Sequence, residues 1–228
     1  MKLSNLSIQL KLVLGAGIVF VLAMGGLIAG GLALMYQTAG NEAEERARAL
    51  LGQYNHLAAG QMGSIIAQTR SLGAAVEGII AEGLVDRDQL GRLVTEALQA
   101  QPALVGMTLA FEPDALDGRD SFFVGHPYSD ATGRFVPYFT QAGGTVSVEK
   151  LDMSPEAGTE GWYDLPMRED RTVLTPPYSY PINGVDVLLS TVSVVVHKDG
   201  KPAGIITSDL TLDTIAGVIS GLRPFGVG

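Results

Sequence analysis

Several residue types that carry common chemistries are absent or scarce in this sequence. It contains no cysteine, one tryptophan and three histidines, and its formal net charge is −9. The absence of cysteine excludes a disulfide framework, a thiolate metal site and a cysteine nucleophile. The acidic balance argues against nucleic acids and other polyanions as partners. The histidines His56, His126 and His197 have no companion at metal-ligand spacing, so we predict no metal and no cofactor.

Charged residues are also missing between Leu12 and Tyr36. This run is long enough for a transmembrane helix, which needs about 20 mostly apolar residues. Basic residues precede the run and acidic residues follow it, a bias that places residues 1–11 in the cytoplasm and the bulk of the chain outside. A cleaved signal peptide is the alternative, but its apolar region spans only about 7–15 residues. We therefore interpret residues 12–36 as a membrane anchor, in which Gly26 and Gly30 have the spacing of a helix-dimer contact.

A helical pattern follows the apolar run. Residues 41–70 contain no proline and are rich in Ala, Glu, Gln and Leu, and Asn41 can cap the start of a helix. Apolar residues recur there at spacings of three and four, which indicates one buried stripe. The stripe consists of Leu50, Tyr54, Leu57, Ala58, Met62, Ile65, Ile66, Leu72 and Val76. We predict a long stalk helix here and a second helix from Asp86 to Ala100, so that residues 37–100 form the stalk and packing helices.

After Pro102 the pattern changes to short runs of β-branched and aromatic residues, which are typical of strands. We predict strands at residues 104–111, 134–140, 145–148, 187–196 and 203–210, with Asp199 and Gly200 in a tight turn between the last two. A closing helix is predicted from Leu212, with Asp209 or Thr211 as its cap. Helices followed by an antiparallel sheet define an α+β domain, which we place at residues 101–220.

The acidic loop from residue 112 to residue 120 has two interpretations. Asp114, Asp117 and Asp120 supply oxygen donors of the kind that bind calcium. The loop lacks the alternating spacing and the terminal glutamate of a known calcium loop, so turn formation is the favoured interpretation. The sequence also lacks a glycine-rich nucleotide-binding motif and the G-x-S-x-G pattern of serine hydrolases.

Short motifs occur along the chain in a defined order. They are the acidic loop with the preceding Phe111, Gly161-Trp162-Tyr163, Pro177-Tyr178, and Gly200-Lys201-Pro202-Ala203-Gly204 leading into Ser208-Asp209. Their order and spacing resemble the sensory half of bacterial methyl-accepting chemotaxis proteins with a double Cache, PAS-like ectodomain. In that family a long helix leads to a membrane-distal module that binds a small ligand between its sheet and loops. The resemblance implies that residues 221–228 begin a missing membrane-proximal module and that the chain is truncated.

The resemblance also implies a ligand pocket with aromatic walls, which suit a small polar or cationic ligand. The candidate ligand-binding residues are Trp162, Tyr163, Tyr178, Tyr180, Asp209, Glu160, Thr191 and Tyr138. Asp209 would pair with a ligand amine. Family members that bind amino acids carry an arginine where this chain has Glu160 and an aspartate where it has Tyr180. That difference disfavours an α-amino acid and favours an amine ligand, provided that Glu160 points inward.

Each of the main candidates also has an alternative interpretation. Trp162 and Tyr163 could be core residues of the sheet face, and Asp209 could serve only as a helix cap. Asp164 and Asp209 could form a catalytic carboxylate pair, but such pairs are common by chance. We therefore predict no catalytic residue and no enzyme activity.

These observations lead to one expected function and two alternatives. We expect an extracytoplasmic small-molecule sensing module of a transmembrane chemoreceptor, located in the bacterial inner membrane with its sensor domain in the periplasm or outside the cell. An amine, an amino-acid-like compound or an organic acid would shift the packing of stalk helices in a homodimer. The same module attached to a histidine kinase or diguanylate cyclase is the first alternative, and a membrane-anchored extracytoplasmic enzyme is the second.

Overall fold

A computed structural model of the chain describes residues 62–142 and 144–215, together with positions 22, 24–27, 30–31, 35, 52 and 59–60. The predicted segments 1–11 and 221–228, most of the predicted anchor 12–36 and most of the stalk before residue 62 lie outside the described residues. Within the described ranges, no helix combines the length and the hydropathy that a membrane span requires. All elements below belong to the compact unit His56–Arg223.

Two helices form one layer of this unit. The described part of α1 covers residues 62–81, and the second half of the predicted apolar stripe, including Ile65 and Val76, packs into the core. Helix α2, Arg87–Gln99, begins after Asp86, whose side chain accepts a hydrogen bond from the backbone nitrogen of Gln89 at 2.9 Å. Its buried residues recur at helical spacing and are Arg87, Leu90, Gly91, Val94 and Leu98. The predicted second helix is therefore confirmed.

Seven antiparallel strands form the second layer. They are β1 (Gly106–Phe111), β2 (Pro137–Ala142), β3 (Thr145–Lys150), β4 (Val173–Leu174), β5 (Tyr178–Ile182), β6 (Val185–Lys198) and β7 (Lys201–Thr211). Their order is β3-β2-β1-β7-β6-β4, and β5 also pairs with β6. The five predicted strands are confirmed with shifted ends, whereas β4 and β5 were not predicted. The α+β class with an antiparallel sheet and flanking helices is confirmed.

The hairpin of β6 and β7 shows why local sequence signals were informative. Asp199 and Gly200 have φ angles of 53° and 73°, as a two-residue turn with two left-handed residues requires. At the far end of β7, the hydroxyl of Thr211 accepts a hydrogen bond from the backbone nitrogen of Thr214 at 3.1 Å, so Thr211 caps the following turn. Asp209 lies inside β7, and its interpretation as a helix cap is wrong.

The two faces of the sheet are covered by different elements. Helices α1 and α2 cover one face, which we call the helix face. Residues 151–172, which we call the cap, cover the other, which we call the pocket face. The cap contains a 3₁₀ turn at Pro155–Ala157, a π-helical turn at Glu160–Asp164 and α3 at Leu165–Glu169. Both faces are therefore buried, and the sheet lies in the middle of three layers.

The acidic loop is bound to the helix layer by a buried arginine. Nη2 of Arg87 lies 2.8 Å from Oδ1 of Asp117 and 2.6 Å from Oδ1 of Asp120, and the Arg87 side chain is only 1% exposed. Asp114 and Asp120 each accept a hydrogen bond from the other's backbone nitrogen. The turn interpretation of this loop is confirmed. The ion pairs with Arg87 are a further role that the sequence did not indicate.

Candidate functional site

The pocket face has a row of buried polar side chains in the middle of the sheet. Successive residues of a strand point to opposite faces, so every second residue of β1, β2, β6 and β7 faces the cap. The polar members of this set are each at most 5% exposed and are Thr108, Thr140, Thr191, Ser193, Thr207 and Asp209. Buried polar groups cost free energy unless they find partners, so a row of them marks a place where partners are required.

A small cavity lies above this row. Its lining residues are Thr108, Tyr138, Leu151, Trp162, Tyr178, Tyr180 and Asp209. Four aromatic side chains thus surround one carboxylate, and the rings of Tyr138 and Tyr180 meet edge to face with centroids 5.5 Å apart. The cavity is about 10 Å³, which is room for about one water molecule. A larger guest therefore requires movement of the cap or of β5, which among the described strands pairs with β6 alone.

Asp209 is held in position by a chain of hydroxyl groups. The Thr191 hydroxyl lies 2.7 Å from Oδ1 of Asp209 and 2.8 Å from the Tyr178 hydroxyl. An ionised carboxylate can only accept, so Thr191 donates to Asp209 and Tyr178 donates to Thr191. This direction leaves the Tyr178 oxygen as an acceptor towards the cavity. Among the described residues, Oδ1 is the oxygen of Asp209 that takes part in this chain, and the Asp209 side chain also lines the cavity.

The charge of Asp209 is costly at this position. Burial raises the pKa of Asp209 to about 6, and the hydrogen bond from Thr191 opposes that rise. The Tyr138 hydroxyl makes no hydrogen bond to the carboxylate. Burial, followed by the charge of Asp209, raises the pKa of Tyr138 and of Tyr178. A cation beside Asp209 would favour its ionised form.

Tyr138 has a buried hydroxyl that makes no hydrogen bond with any of the described residues. Its ring lies across Gly106, where a Cβ atom would come within 2.6 Å of the hydroxyl oxygen. A side chain at position 106 would therefore displace the Tyr138 ring from this position. An unpaired buried hydroxyl costs about 1–3 kcal/mol, and a ligand or water in the cavity would remove that cost.

The structure brings most of the predicted site residues together. Tyr138, Trp162, Tyr178, Tyr180 and Asp209 line the cavity, and Thr191 supports it from below. Thr108 and Leu151 also line it, and sequence reasoning missed them. Thr108 left a faint signal, since it is a polar residue within the apolar run of β1.

Tyr163 and Glu160 are placed elsewhere. The Tyr163 hydroxyl donates to Oε1 of Glu112 and accepts from Nη2 of Arg134, both at 2.7 Å, beside the cavity and not in it. Glu160 is an exposed surface residue paired with Arg168 at 3.1 Å, so it does not point inward. Asp164, the other carboxylate considered for catalysis, bonds to Thr159 at 2.6 Å and does not line the cavity.

Comparison with known proteins identifies related sensor domains. A family model described as methyl-accepting chemotaxis protein-like, first PDC sensor domain, matches residues 90–217. The methyl-accepting chemotaxis protein TlpQ of Pseudomonas aeruginosa is 31% identical over 141 residues, which are 57% of this chain and 20% of that protein. PctB of the same organism is 27% identical over 134 residues, which are 59% of this chain and 17% of that protein. The chain thus spans about a fifth of the length of these curated relatives.

Solved structures share the fold. The extracellular domain of mmHK1S-Z3, described as a histidine kinase, has a TM-score of 0.65 at 30% identity. The match covers 77% of this chain and 62% of the mmHK1S-Z3 chain. Methyl-accepting chemotaxis protein X has a TM-score of 0.67 at 24% identity, covering 82% and 67%. The ligand-binding domain of the Campylobacter jejuni chemoreceptor Tlp3, in complex with L-valine, has a TM-score of 0.54 at 15% identity, covering 75% and 61%.

Proposed function

We propose, from the premise that this chain belongs to the methyl-accepting chemotaxis protein-like family of first PDC sensor domains, that it binds a small organic amine in the Asp209 cavity. The observation that carries this proposal is one buried carboxylate surrounded by four aromatic rings. Aromatic faces attract cations, and a buried carboxylate requires a positive partner. No arginine, lysine or histidine of the described residues lines the cavity to supply that partner. The ligand would therefore supply the positive charge.

The hydrogen-bonding groups around the cavity support an amine over an amino acid. Asp209 offers its carboxylate, and Tyr178 offers the lone pairs that its bond to Thr191 leaves free. A primary ammonium group has three N–H donors and no acceptor, which complements such a set. The carboxylate of an amino acid would lie near Asp209 without a cationic side chain to bind it. Glu160 stands where amino-acid-binding members are expected to carry an arginine, and it faces solvent.

The rest of the proposed role concerns the whole receptor. We propose that residues 12–36 anchor the chain in the inner membrane, that α1 continues a stalk helix towards it, and that the sensor domain lies in the periplasm as part of a homodimer. Ligand binding would then shift the stalk helices and control chemotaxis, without chemical conversion of the ligand. The second candidate function is a sensor module whose signal is passed to a histidine kinase. The similarity to the mmHK1S-Z3 extracellular domain supports this alternative.

Matched pairs of ligands provide the direct test. We suggest isothermal titration of the 228-residue chain in detergent with amino acids and the amines formed by their decarboxylation, namely histamine with histidine, tyramine with tyrosine, and putrescine with ornithine. At least one amine should bind more tightly than its parent amino acid. Equal or tighter binding of the amino acid in every pair, or binding confined to carboxylates without an amine, would contradict the proposal. The variant Glu160→Gln is the control, because an exposed residue outside the cavity should not affect affinity.

A further inference from the structure

A cluster of ionisable side chains outside the cavity joins α1 to the cap. Nδ1 of His197, near the end of β6, lies 2.9 Å from Oε1 of Glu77 on α1. Its Nε2 lies 2.7 Å from Oδ1 of Asp170 in the cap. The backbone nitrogen of His197 also donates to Glu77 at 2.7 Å. One imidazole therefore connects three elements whose residues are 120 and 27 positions apart in the sequence.

Both contacts require the charged form of the histidine. A carboxylate accepts hydrogen bonds, so both ring nitrogens of His197 must carry protons for both contacts to be hydrogen bonds. The bond to Glu77 is the main cause that raises the pKa of His197, the bond to Asp170 adds to it, and burial opposes both. The stabilisation from this histidine is therefore complete below its ordinary pKa and is lost as the pH rises through the raised pKa.

The other charged groups in this region do not compete for the histidine. Arg70 on α1 and Arg171 in the cap line the same cleft as His197. Arg70 donates through Nε to Thr172 of the cap at 3.1 Å, and Arg171 pairs with Glu169. Lys198, the next residue of β6, donates to backbone carbonyls of the acidic loop. The Arg70 contact is a second, independent link between α1 and the cap.

The cap forms one helical block between the cavity and this cluster. The π-helical turn Glu160–Asp164 leads directly into α3, Leu165–Glu169. Trp162 near the start of the block lines the cavity, and Asp170 follows its last residue. The pair of Arg168 and Glu160 spans the block from end to end. Trp162 and Asp170 are therefore joined by one continuous helical segment.

We propose that Glu77, His197 and Asp170 form a clasp that holds the cap to α1, with His197 as the positioning residue. Loss of the proton from His197 turns one ring nitrogen into an acceptor facing a carboxylate, so that contact is broken and the cap is held to α1 more weakly, through the Arg70–Thr172 bond. Entry of a ligand under Trp162 would move the cap and disturb the contacts of Asp170 and Glu77 with His197. The effect of the ligand would in this way be transmitted to α1. This second statement rests on the proposed function, whereas the clasp itself does not.

The only tryptophan of the chain, Trp162, allows the clasp to be tested without labels. We suggest acrylamide quenching of its fluorescence in the 228-residue chain from about pH 6 to about pH 9, a range that brackets a raised histidine pKa. An Asp209→Asn background prevents that carboxyl from titrating beside the fluorophore. We expect quenching to increase as His197 deprotonates, and to be high at every pH in His197→Gln. The control His126→Gln should follow the parent, since His126 contacts Asp88 and not the cap. Identical profiles for the parent and His197→Gln would overturn the clasp.

A second variant separates the clasp from a general loss of folding. Asp170 is 54% exposed, so Asp170→Asn removes the cap side of the clasp from a tolerant surface position. It should raise quenching as His197→Gln does. With an amine that titration shows to bind, hydrogen exchange over residues 62–81 should change in the chain with native Asp209 and should not change in Asp170→Asn. A retained ligand effect in that variant would overturn the coupling. Failure of every amine to bind would instead refute the proposed function, and the quenching profiles would decide on the clasp alone.

Discussion

The helix face and the pocket face of the sheet are built from the same strands but carry different chemistry. In β1, Leu109 faces the helices and Thr108 faces the cavity. In β7, Ile206 and Leu210 face the helices, while Thr207 and Asp209 face the cap. All six are buried, so exposure to solvent cannot explain the difference. Burial of the apolar side chains stabilises the fold, whereas burial of the polar ones costs free energy unless a partner compensates.

This contrast indicates that the two faces of the sheet have different roles. The helix face carries the larger of two apolar clusters, with one buried hydroxyl pair between Thr69 and Ser208 at 2.8 Å. The pocket face carries a carboxylate with a raised pKa and a tyrosine hydroxyl without a partner among the described residues. Neither feature helps a protein to fold. Both are expected where a polar ligand completes the site.

The largest expected effect concerns stability and arises on the helix face. Leu109 is fully buried, and Leu109→Ala should lower the free energy of unfolding by about 2–5 kcal/mol because it leaves a cavity. Urea denaturation would measure this. Amine affinity, measured by titration where the variant is still folded, should be unchanged. A large loss of affinity without a loss of stability would contradict the division between the faces.

On the pocket face, Asp209→Asn should lower amine affinity and should not lower the free energy of unfolding. Removal of one partner of a buried charge pair costs about 2–5 kcal/mol of binding, so amine affinity should fall by about 30-fold or more. Titration calorimetry would measure it, with Glu160→Gln as the matched carboxylate control. Retention of affinity within a few-fold in Asp209→Asn would move the binding site away from this cavity.

A smaller effect is expected from the hydroxyl that supports Asp209. Thr191→Val keeps the shape but removes the contacts to Asp209 and Tyr178, and each bond to a charged group is worth about 1.5–3 kcal/mol. The pKa of Asp209 should rise further, and amine affinity at neutral pH should fall by about tenfold. The control is Thr140→Val on the same face, because Thr140 bonds to Ser147 and does not line the cavity. Equal losses in both variants would show that the effect is not specific to the site.

The smallest effect distinguishes two tyrosine hydroxyls. Tyr138→Phe removes a group without a partner among the described residues, so stability should stay the same or rise slightly while amine affinity falls a few-fold. Tyr163→Phe removes bonds to Glu112 and Arg134, so its stability should fall by about 1–3 kcal/mol. Thermal unfolding of the two variants side by side would test this. A clear loss of stability in Tyr138→Phe would mean that its hydroxyl has a structural partner.

The features that the sequence predicted well are local ones. The start of α2 depends on Asp86 and its own first turn, and the β6–β7 hairpin depends on Asp199 and Gly200. The aromatic and acidic members of the pocket were found through their order along the chain. In each case the information lies within a few residues or within a short motif.

The features that were missed depend on long-range packing. Arg87 finds its partners in a loop 30 residues away, and composition alone cannot indicate such a pairing. Glu160 and Trp162 are two residues apart, but the π-helical turn places one in solvent and the other against the sheet. The sequence also did not show which residues of β1 face the helices and which face the cap, because a strand that is buried on both faces lacks an alternating pattern.

One measurement tests the central claim most directly, namely the stability of Asp209→Asn relative to the parent at two pH values. Folding raises the pKa of Asp209 from 3.8 to about 6, so its contribution to stability is present below about pH 4 and is lost as the pH rises through about 6. A shift of about two units corresponds to about 3 kcal/mol. By urea unfolding without ligand, we predict that Asp209→Asn matches the parent near pH 4 and is more stable at pH 8, by up to that amount. A variant that is less stable than the parent at pH 8 would contradict the account, because Asp209 would then serve the fold and not a ligand.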